Sequence, residues 1–261
     1  MAKSKDSIRN TLIVAISVSL VCSVLVASAA IILKPRQLLN EEEFRHRIIV
    51  DVAGFDQSEA DLATLFARIE PRLVNFETGE YTNAVEVEDF DAEEAALTAD
   101  LGVVIPADKD IASVRRRAIY GEVYLVKDGD TLKQIILPVK GAGLWSTLYG
   151  YLSIDADANT ARGLQFYAHG ETPGLGDQMD KPAWRAQVNG KQLFDSNREP
   201  RIMVIKGSVD ESSATAQYEL DGLAGATLTG RGITALVHYW IGDHGYGPYL
   251  DRMREEAQQS L

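Results

Sequence analysis

The sequence predicts an α+β protein: one N-terminal transmembrane helix, then a domain with an antiparallel sheet and flanking helices. Three observations carry that prediction. Residues 12–33 are 22 consecutive residues without a charge. Two runs rich in branched and aromatic side chains, 118–126 and 131–139, meet at Lys127-Asp128-Gly129-Asp130, where the Asp-Gly pair marks a hairpin. Downstream, Ile233, Leu236, Val237, Trp240 and Ile241 recur at i, i+3, i+4, i+7 and i+8, which is one face of a helix from about Thr227 to Ile241.

As a helix, residues 12–33 would span roughly 33 Å, enough for the hydrocarbon core of a bilayer. A cleaved signal peptide is the competing reading. Lys3, Lys5 and Arg9 would form its basic end, and Ala27-Ser28-Ala29 has the small-residue pattern of a cleavage site. The apolar run continues through Ile31, Ile32 and Leu33, longer than a usual signal core, and this favours a retained anchor. Charge leaves the orientation open, because three basic residues precede the span while Lys34, Arg36, Arg45 and Arg47 follow it.

Residues 34–115 read as a mainly helical, polar region. Ala60, Leu62, Leu65, Phe66 and Ile69 fall roughly on one helical face, and Pro71 stops the turn. The acidic runs Glu86-Val87-Glu88-Asp89 and Asp91-Ala92-Glu93-Glu94 read as solvated surface. Residues 116–261 read as one domain. Beyond the hairpin, its strand candidates are 149–154, 163–168, 201–205 and 215–220, with a turn at Asn189-Gly190.

Composition narrows the function. An apolar fraction of 46% is ample for a packed core, so wholesale disorder is excluded. The balance of 26 basic against 38 acidic residues gives −12, which argues against a nucleic-acid partner. The single cysteine, Cys22, lies inside the apolar run, so neither an intramolecular disulfide nor a cysteine metal site is expected. The four histidines are dispersed without metal-ligand spacing, and no metal site is expected from them.

Three short segments carry the chemistry. Asp221-Gly222-Leu223-Ala224-Gly225-Ala226-Thr227 reads as a tight Asp-Gly turn leading to a hydroxyl that opens a helix, which is a natural seat for a phosphate or simply an N-cap threonine. Gly141-Ala142-Gly143-Leu144-Trp145-Ser146-Thr147 combines glycines with an indole, which either approaches a ring ligand or plugs the core. His169-Gly170-Glu171-Thr172-Pro173-Gly174-Leu175-Gly176 is a tightly shaped loop after a strand. Met179 stands where a dinucleotide fingerprint would place its third glycine.

Residues 221–227 resemble the flavinylation motif of FMN-binding domains, Asp-Gly-x-Ser/Thr-Gly/Ser-Ala-Thr, departing from it at Ala224. That departure removes a hydrogen bond but keeps the acceptor hydroxyl of Thr227. Gly143 to Thr147, Tyr149-Gly150-Tyr151, Glu171 to Gly176, Trp184 and Asn189-Gly190-Lys191 extend the likeness in the same order. Together they resemble the family of C subunits of sodium-translocating NADH:quinone reductases, from the anchor to about residue 245, with 40–115 similar only in general character.

The resemblance implies an FMN held covalently through a phosphoester on Thr227. It further implies flavin contacts from Trp145, Ser146, Thr147, Glu171, Thr172, Gly174, Leu175, Gly176, Gly225 and Ala226. No side chain would be catalytic, since the flavin carries the redox chemistry. The implied role is an electron relay in a membrane-bound NADH:ubiquinone reductase coupled to sodium export. The implied partners are the other subunits of that complex, including a second flavinylated membrane subunit, and a flavin transferase for maturation. The implied setting is the bacterial inner membrane, with residues 1–11 cytoplasmic and the FMN domain periplasmic. Two alternatives stand beside it: the flavin subunit of a ferredoxin-linked ion-translocating complex, and an anchored non-redox binding protein whose threonine is never modified. The long 40–115 insertion and the Glu-Thr-Pro-Gly-Leu-Gly loop favour the first reading over the ferredoxin-linked one.

Overall fold

The apolar segment belongs to one 45-residue helix, α1 (Ile8–Val52), in the computed structural model, which describes residues 7–56, 58 and 60–259. The chain divides into two compact units, residues 1–45 and 46–261. In the first, α1 is long and apolar enough to cross a membrane. Its side chains from Leu12 to Leu33 are exposed, as a lipid-facing surface requires. The helix runs unbroken through Ala27-Ser28-Ala29, with Pro35 inside it.

The second unit begins with the last turns of α1, where Ile48, Ile49, Val50 and Val52 are buried. It continues with α2 (Leu62–Phe66), β1 (Ile69–Asn75), β2 (Tyr81–Thr82), α3 (Ala92–Ala95), β3 (Gly102–Val104) and β4 (Arg116–Ala118). Then come β5 (Tyr120–Asp128), β6 (Thr131–Ala142), β7 (Thr147–Asp155), β8 (Ala161–Ala168) and α4 (Pro182–Ala186). The unit closes with β9 (Met203–Val204), β10 (Glu219–Leu220), α5 (Thr227–Ile241) and α6 (Gly247–Gln259).

Six strands form one antiparallel sheet in the order β2-β1-β5-β6-β7-β8. Alternation of side chains along the strands divides the core. Leu148, Leu152 and Ile154 of β7 pack with Ile233, Leu236 and Val237 of α5 and with Tyr249 and Leu250 of α6. On the other face, Tyr124, Val126, Ile136 and Tyr151 pack with Ile49 of α1 and Leu65 of α2. The sheet is therefore covered on both faces, and its longest hairpin, β6–β7, ends at the Gly143–Ser146 loop.

The β5–β6 hairpin turns where Asp128 pairs with Thr131, and Gly129 takes φ +59, the left-handed region an Asp-Gly turn requires. Gly190 likewise takes φ +84 at the Asn-Gly turn. Helix α5 spans Thr227–Ile241, as the periodicity predicts.

The reading of 34–115 as mainly helical needs correction. Past Val52 its described residues hold only the short helices α2 and α3 and a 3-10 turn at Val87–Asp89, beside β1, β2 and β3. Ile69 and Pro71 lie in β1, not on a helical face. Proline is tolerated there because β1 pairs with β5 along its length but with β2 only at Leu73 and Val74. The acidic runs lie at the surface, and in the second Asp91 caps α3 by accepting the N–H groups of Glu93 and Glu94. Strand candidates 201–205 and 215–220 shrink to the two-residue parallel pair β9–β10, with a 3-10 turn over Ala216–Tyr218. Helix α6, which no sequence signal above marked, buries Tyr249, Leu250 and Met253.

Truncation tests how the two units divide. Removing residues 1–34 is expected to leave a soluble, folded domain, because the buried residues Ile48 to Val52 remain. Extending the deletion through Val52 strips Ile49 and Val50, exposed 1% and 0%, from the core. That loss is expected to cost at least the 2–5 kcal/mol of a single large-to-small core substitution, giving an unfolded or aggregated product. Circular dichroism and size-exclusion chromatography of the two truncations distinguish these outcomes.

Candidate functional site

The three segments singled out in the sequence meet at the start of α5, and the residue that ties them is Glu171. Its carboxylate is buried at 5% exposure. Oε1 accepts the backbone N–H of Trp145 at 2.9 Å, and Oε2 accepts the hydroxyl of Thr229 at 2.5 Å. One side chain thus holds the β6–β7 loop, the loop after β8 and the first turn of α5 in register. A carboxylate beside a helix N-terminus is favourably placed against the helix dipole. Ser146 Oγ accepts the N–H of Gly170 at 2.5 Å, and the Gln178 amide donates to the carbonyls of Gly174 and Ala224 at 3.1 and 3.2 Å.

The glycines serve this network more than they serve open space for a ligand. A Cβ on Gly143 would lie 2.5 Å from Glu171 Oε1, and one on Gly176 would lie 2.9 Å from Oε2. Both glycines therefore make room for the buried carboxylate. Gly174 differs: its surroundings are open, and its φ of +80 is what favours glycine. Glu171 N–H donates to His169 Nδ1 at 3.2 Å, so the ring proton sits on Nε2 and is donated to Asp180 Oδ2 at 2.7 Å. That pair clips the two ends of the loop together.

The 221–227 segment also differs from a simple Asp-Gly turn. The tight turn lies at Leu223–Ala226, where Ala226 N–H donates to Leu223 O and Gly225 takes φ +75. Gly222 is needed for close approach, since a Cβ there would lie 2.5 Å from Ile205 O and 2.9 Å from Gly207 N. Asp221 is a clamp. Its carboxylate accepts Val209 N–H at 2.7 Å, its N–H donates to Gln187 Oε1, and its carbonyl accepts the indole N–H of Trp184.

Two threonines open α5, and burial separates their roles. Thr229 is fully buried and committed to Glu171. Thr227 is exposed at the first helical position. The N-cap is Ala226, which has no capping side chain, so Thr227 is not the cap that its type and place suggest. The uncapped first turn leaves backbone N–H donors directed outward beside the Thr227 hydroxyl. The same segments leave large apolar side chains in solvent: Trp145 is 70% exposed, Leu175 41% and Leu228 53%. Trp145 is therefore a surface indole, not a core plug. Leu175 lies over Gly225, whose added Cβ would come within 2.8 Å of Leu175 Cδ2.

Of the site residues expected from sequence, Trp145, Thr147, Thr172, Gly174, Leu175 and Gly225 are exposed, with Ser146 half-buried. Glu171, Gly176 and Ala226 are buried beneath them. Glu171 is thus a support, and Thr229 and Gln178 are the supporting residues that motif reasoning missed. Thr229 follows Thr227 at the spacing that turns it inward on α5, which is a signal available from the helical pattern alone. Among the described residues there is no cluster of three or more His, Cys, Asp or Glu able to hold a metal ion. Two concavities of the domain lie elsewhere, one lined by Phe194, His238 and Arg254, the other by Tyr81, Lys127 and Met253. Burial, with Glu93 nearby, raises the Tyr149 phenol above its ordinary value, so it stays neutral at the edge of β7.

An exposed hydroxyl on an uncapped helix start, with exposed apolar side chains on the segments that meet there, suits the phosphate end and the ring of a flavin mononucleotide. Residues 143–242 match the FMN-binding domain family. Here an FMN-binding domain follows a helix long and apolar enough to cross a membrane. The full-length comparisons are more specific. The chain is 43% identical over 260 residues, 98% of each chain, to the C subunit of the Na(+)-translocating NADH-quinone reductase of Vibrio campbellii (strain ATCC BAA-1116). It is 43% identical over 256 residues, 97% of this chain and 98% of the relative, to the protein of that name from Pseudomonas aeruginosa. Its fold matches the crystal structure of Shewanella oneidensis NqrC with a TM-score of 0.76 at 32% identity, over 83% of this chain and 99% of that one. The chain belongs to the family of Na(+)-translocating NADH-quinone reductase C subunits.

Proposed function

We propose that this chain is the electron-carrying subunit of a membrane-bound, sodium-exporting NADH:ubiquinone reductase, with one FMN esterified through its phosphate to Thr227 Oγ1. The observation that carries this reading is the contrast between the two threonines. Thr227 offers an exposed hydroxyl, whereas Thr229 is fully buried and bonded to Glu171. Bound FMN would supply one- and two-electron redox chemistry. The protein's part is to hold and present it. The N–H groups of the first turn of α5 favour the phosphate charge. Trp145, Leu175 and Leu228 offer apolar surface for the ring, and Thr147 and Thr172 offer exposed hydroxyls beside it. Glu171, Gly176 and Ala226 lie beneath and fix those surfaces.

The site is an open surface, which suits a relay whose donors and acceptors are other proteins. Its partners in this reading are the remaining subunits of the complex, a second flavinylated membrane subunit among them, and a flavin transferase that reads the 221–227 segment. The anchor, α1, stays in the inner membrane as a single pass, with the FMN domain in the periplasm. A covalent tether suits that compartment, because a dissociable cofactor would be lost from it. Co-expression with a flavin transferase and denaturing electrophoresis tests the reading. A fluorescent band at the mass of the chain is expected, and a dark band would sink the proposal.

The loops have their own test. Gly174→Val forces a β-branched residue to φ +80, and Trp145→Leu removes the exposed indole. Both are expected to leave Thr227 modified while changing the flavin spectrum, Gly174→Val through absorption and potential and Trp145→Leu through loss of fluorescence quenching. Spectra and potentials identical to the parent in both variants would mean that these loops do not touch the flavin.

A further inference from the structure

Arg231 is the only Arg or Lys between Asp221 and Ile241. It is exposed, and among the described residues it makes no ion pair or side-chain hydrogen bond. Its place on α5 is informative. At about 100° per residue, four residues return to roughly 40° from the start, so Arg231 projects between the directions of Thr227 and Leu228. Both of those residues are exposed, whereas Thr229, Gly230 and Ile233 face inward. The flanking glycines fix this face outward. A Cβ on Gly230 would meet Val204 Cγ1 at 3.0 Å, and one on Gly232 would collide with the carbonyl of Ala142. The helix is wedged between β9 and the end of β6, and it cannot roll to bury Arg231.

Side chains on a helix tilt toward its N-terminus, so a long one covers the turn before its own Cα. For Arg231 that turn begins at Thr227. The adjoining segments carry Glu171, Asp177, Asp180 and Asp221 alongside Lys181 and Lys206. An anion on Thr227 would have the helix dipole in its favour and these carboxylates against it.

We propose that Arg231 pairs with the phosphate of the FMN carried on Thr227, resting on the functional reading above. A guanidinium suits this task, because its planar set of N–H donors matches phosphate oxygens at charge-assisted hydrogen-bond distance. It adds a full positive charge to the partial charge of the N–H groups that the uncapped first turn leaves free. Arg231 is a binding residue for the phosphate group and has no part in electron transfer.

The test uses the flavinylated full-length protein in detergent, with Arg231→Gln and Arg231→Lys alongside. Intact mass first establishes that each sample carries one FMN. A parent without that added mass would end the flavin reading itself, and this inference with it, at that earlier step. The phosphorus-31 resonance of the diester is then followed as sodium chloride is raised. In the parent, screening of the pair is expected to displace the resonance progressively. Arg231→Gln is expected to start near the parent's high-salt position and stay there, while Arg231→Lys keeps a smaller salt-dependent displacement. A parent and an Arg231→Gln variant that superimpose at every salt concentration would overturn the pairing. So would a displacement that Gln preserves and Lys abolishes.

Discussion

Thr227→Ala is expected to abolish covalent FMN completely while leaving the fold intact. The chemical part is all-or-none, because the ester has no other oxygen to form on at that position. The structural part follows from the place of Thr227 in the helix. It occupies the first helical position, its side chain does not cap the helix, and it lies in solvent. The loss is therefore expected within about 0.5 kcal/mol, the range of ordinary surface changes, and well below the ~1 kcal/mol of a lost cap. Thr229→Val is the control with the opposite signature. It keeps the shape but leaves Glu171 Oε2 without its donor in a buried site, at a cost of about 1–3 kcal/mol. Its Thr227 remains exposed and is expected to be flavinylated. Intact mass together with urea melts separates the two. A Thr229→Val protein that lost FMN while Thr227→Ala kept it would reverse the assignment.

Glu171→Leu is expected to be the most destabilising single change at the site. It removes both acceptors at once and strands the Trp145 N–H and the Thr229 hydroxyl. Hydrogen bonds to a charged group contribute about 1.5–3 kcal/mol each, so a loss of about 3 kcal/mol or more is expected. Glu171→Gln is milder for a geometric reason. Its carbonyl can accept from Trp145, and its amide can donate to Thr229, whose hydroxyl rotates to accept. A cost of about 1 kcal/mol is expected for Gln. In denaturant melts, Leu is expected to lower the midpoint without changing the slope, and Gln to lie between Leu and the parent. A Leu variant as stable as the parent would show that Glu171 does not tie the three segments together.

What the sequence made legible, and what it hid, follows from the range of each interaction. Helix α5 and the β5–β6 hairpin are written in local code, the first in apolar spacing and the second in an Asp-Gly turn, and both appear where expected. Strand β1 was hidden because its burial does not alternate and because Pro71 imitates a helix stop. Its strand character comes from pairing with β5, some fifty residues away, which no local pattern records. Helix α6 was hidden for a similar reason, since its apolar residues Tyr249, Leu250 and Met253 are few and lie among charges.

The motif glycines illustrate the same limit. Residue type alone indicated close backbone approach, but not what approached. At Gly143 and Gly176 it is the Glu171 carboxylate, and at Gly222 it is the backbone of Ile205 and Gly207. The buried position of Glu171 likewise depends on Trp145 and Thr229, which are 26 and 58 residues away in the chain. Asp221 reads as a turn residue in sequence, and its bonds to Val209, Gln187 and Trp184 make it a clamp on three separate segments.

The most direct test of the central claim is the location of the flavin on the protein purified from membranes after co-expression with a flavin transferase. Protease digestion and fragmentation of the peptide that holds both Thr227 and Thr229 reads the attachment residue by residue. The added mass of FMN is expected between Ala226 and Leu228, with Thr229 unmodified. FMN found on Thr229, on any residue outside the 221–229 segment, or on no residue at all would contradict this account.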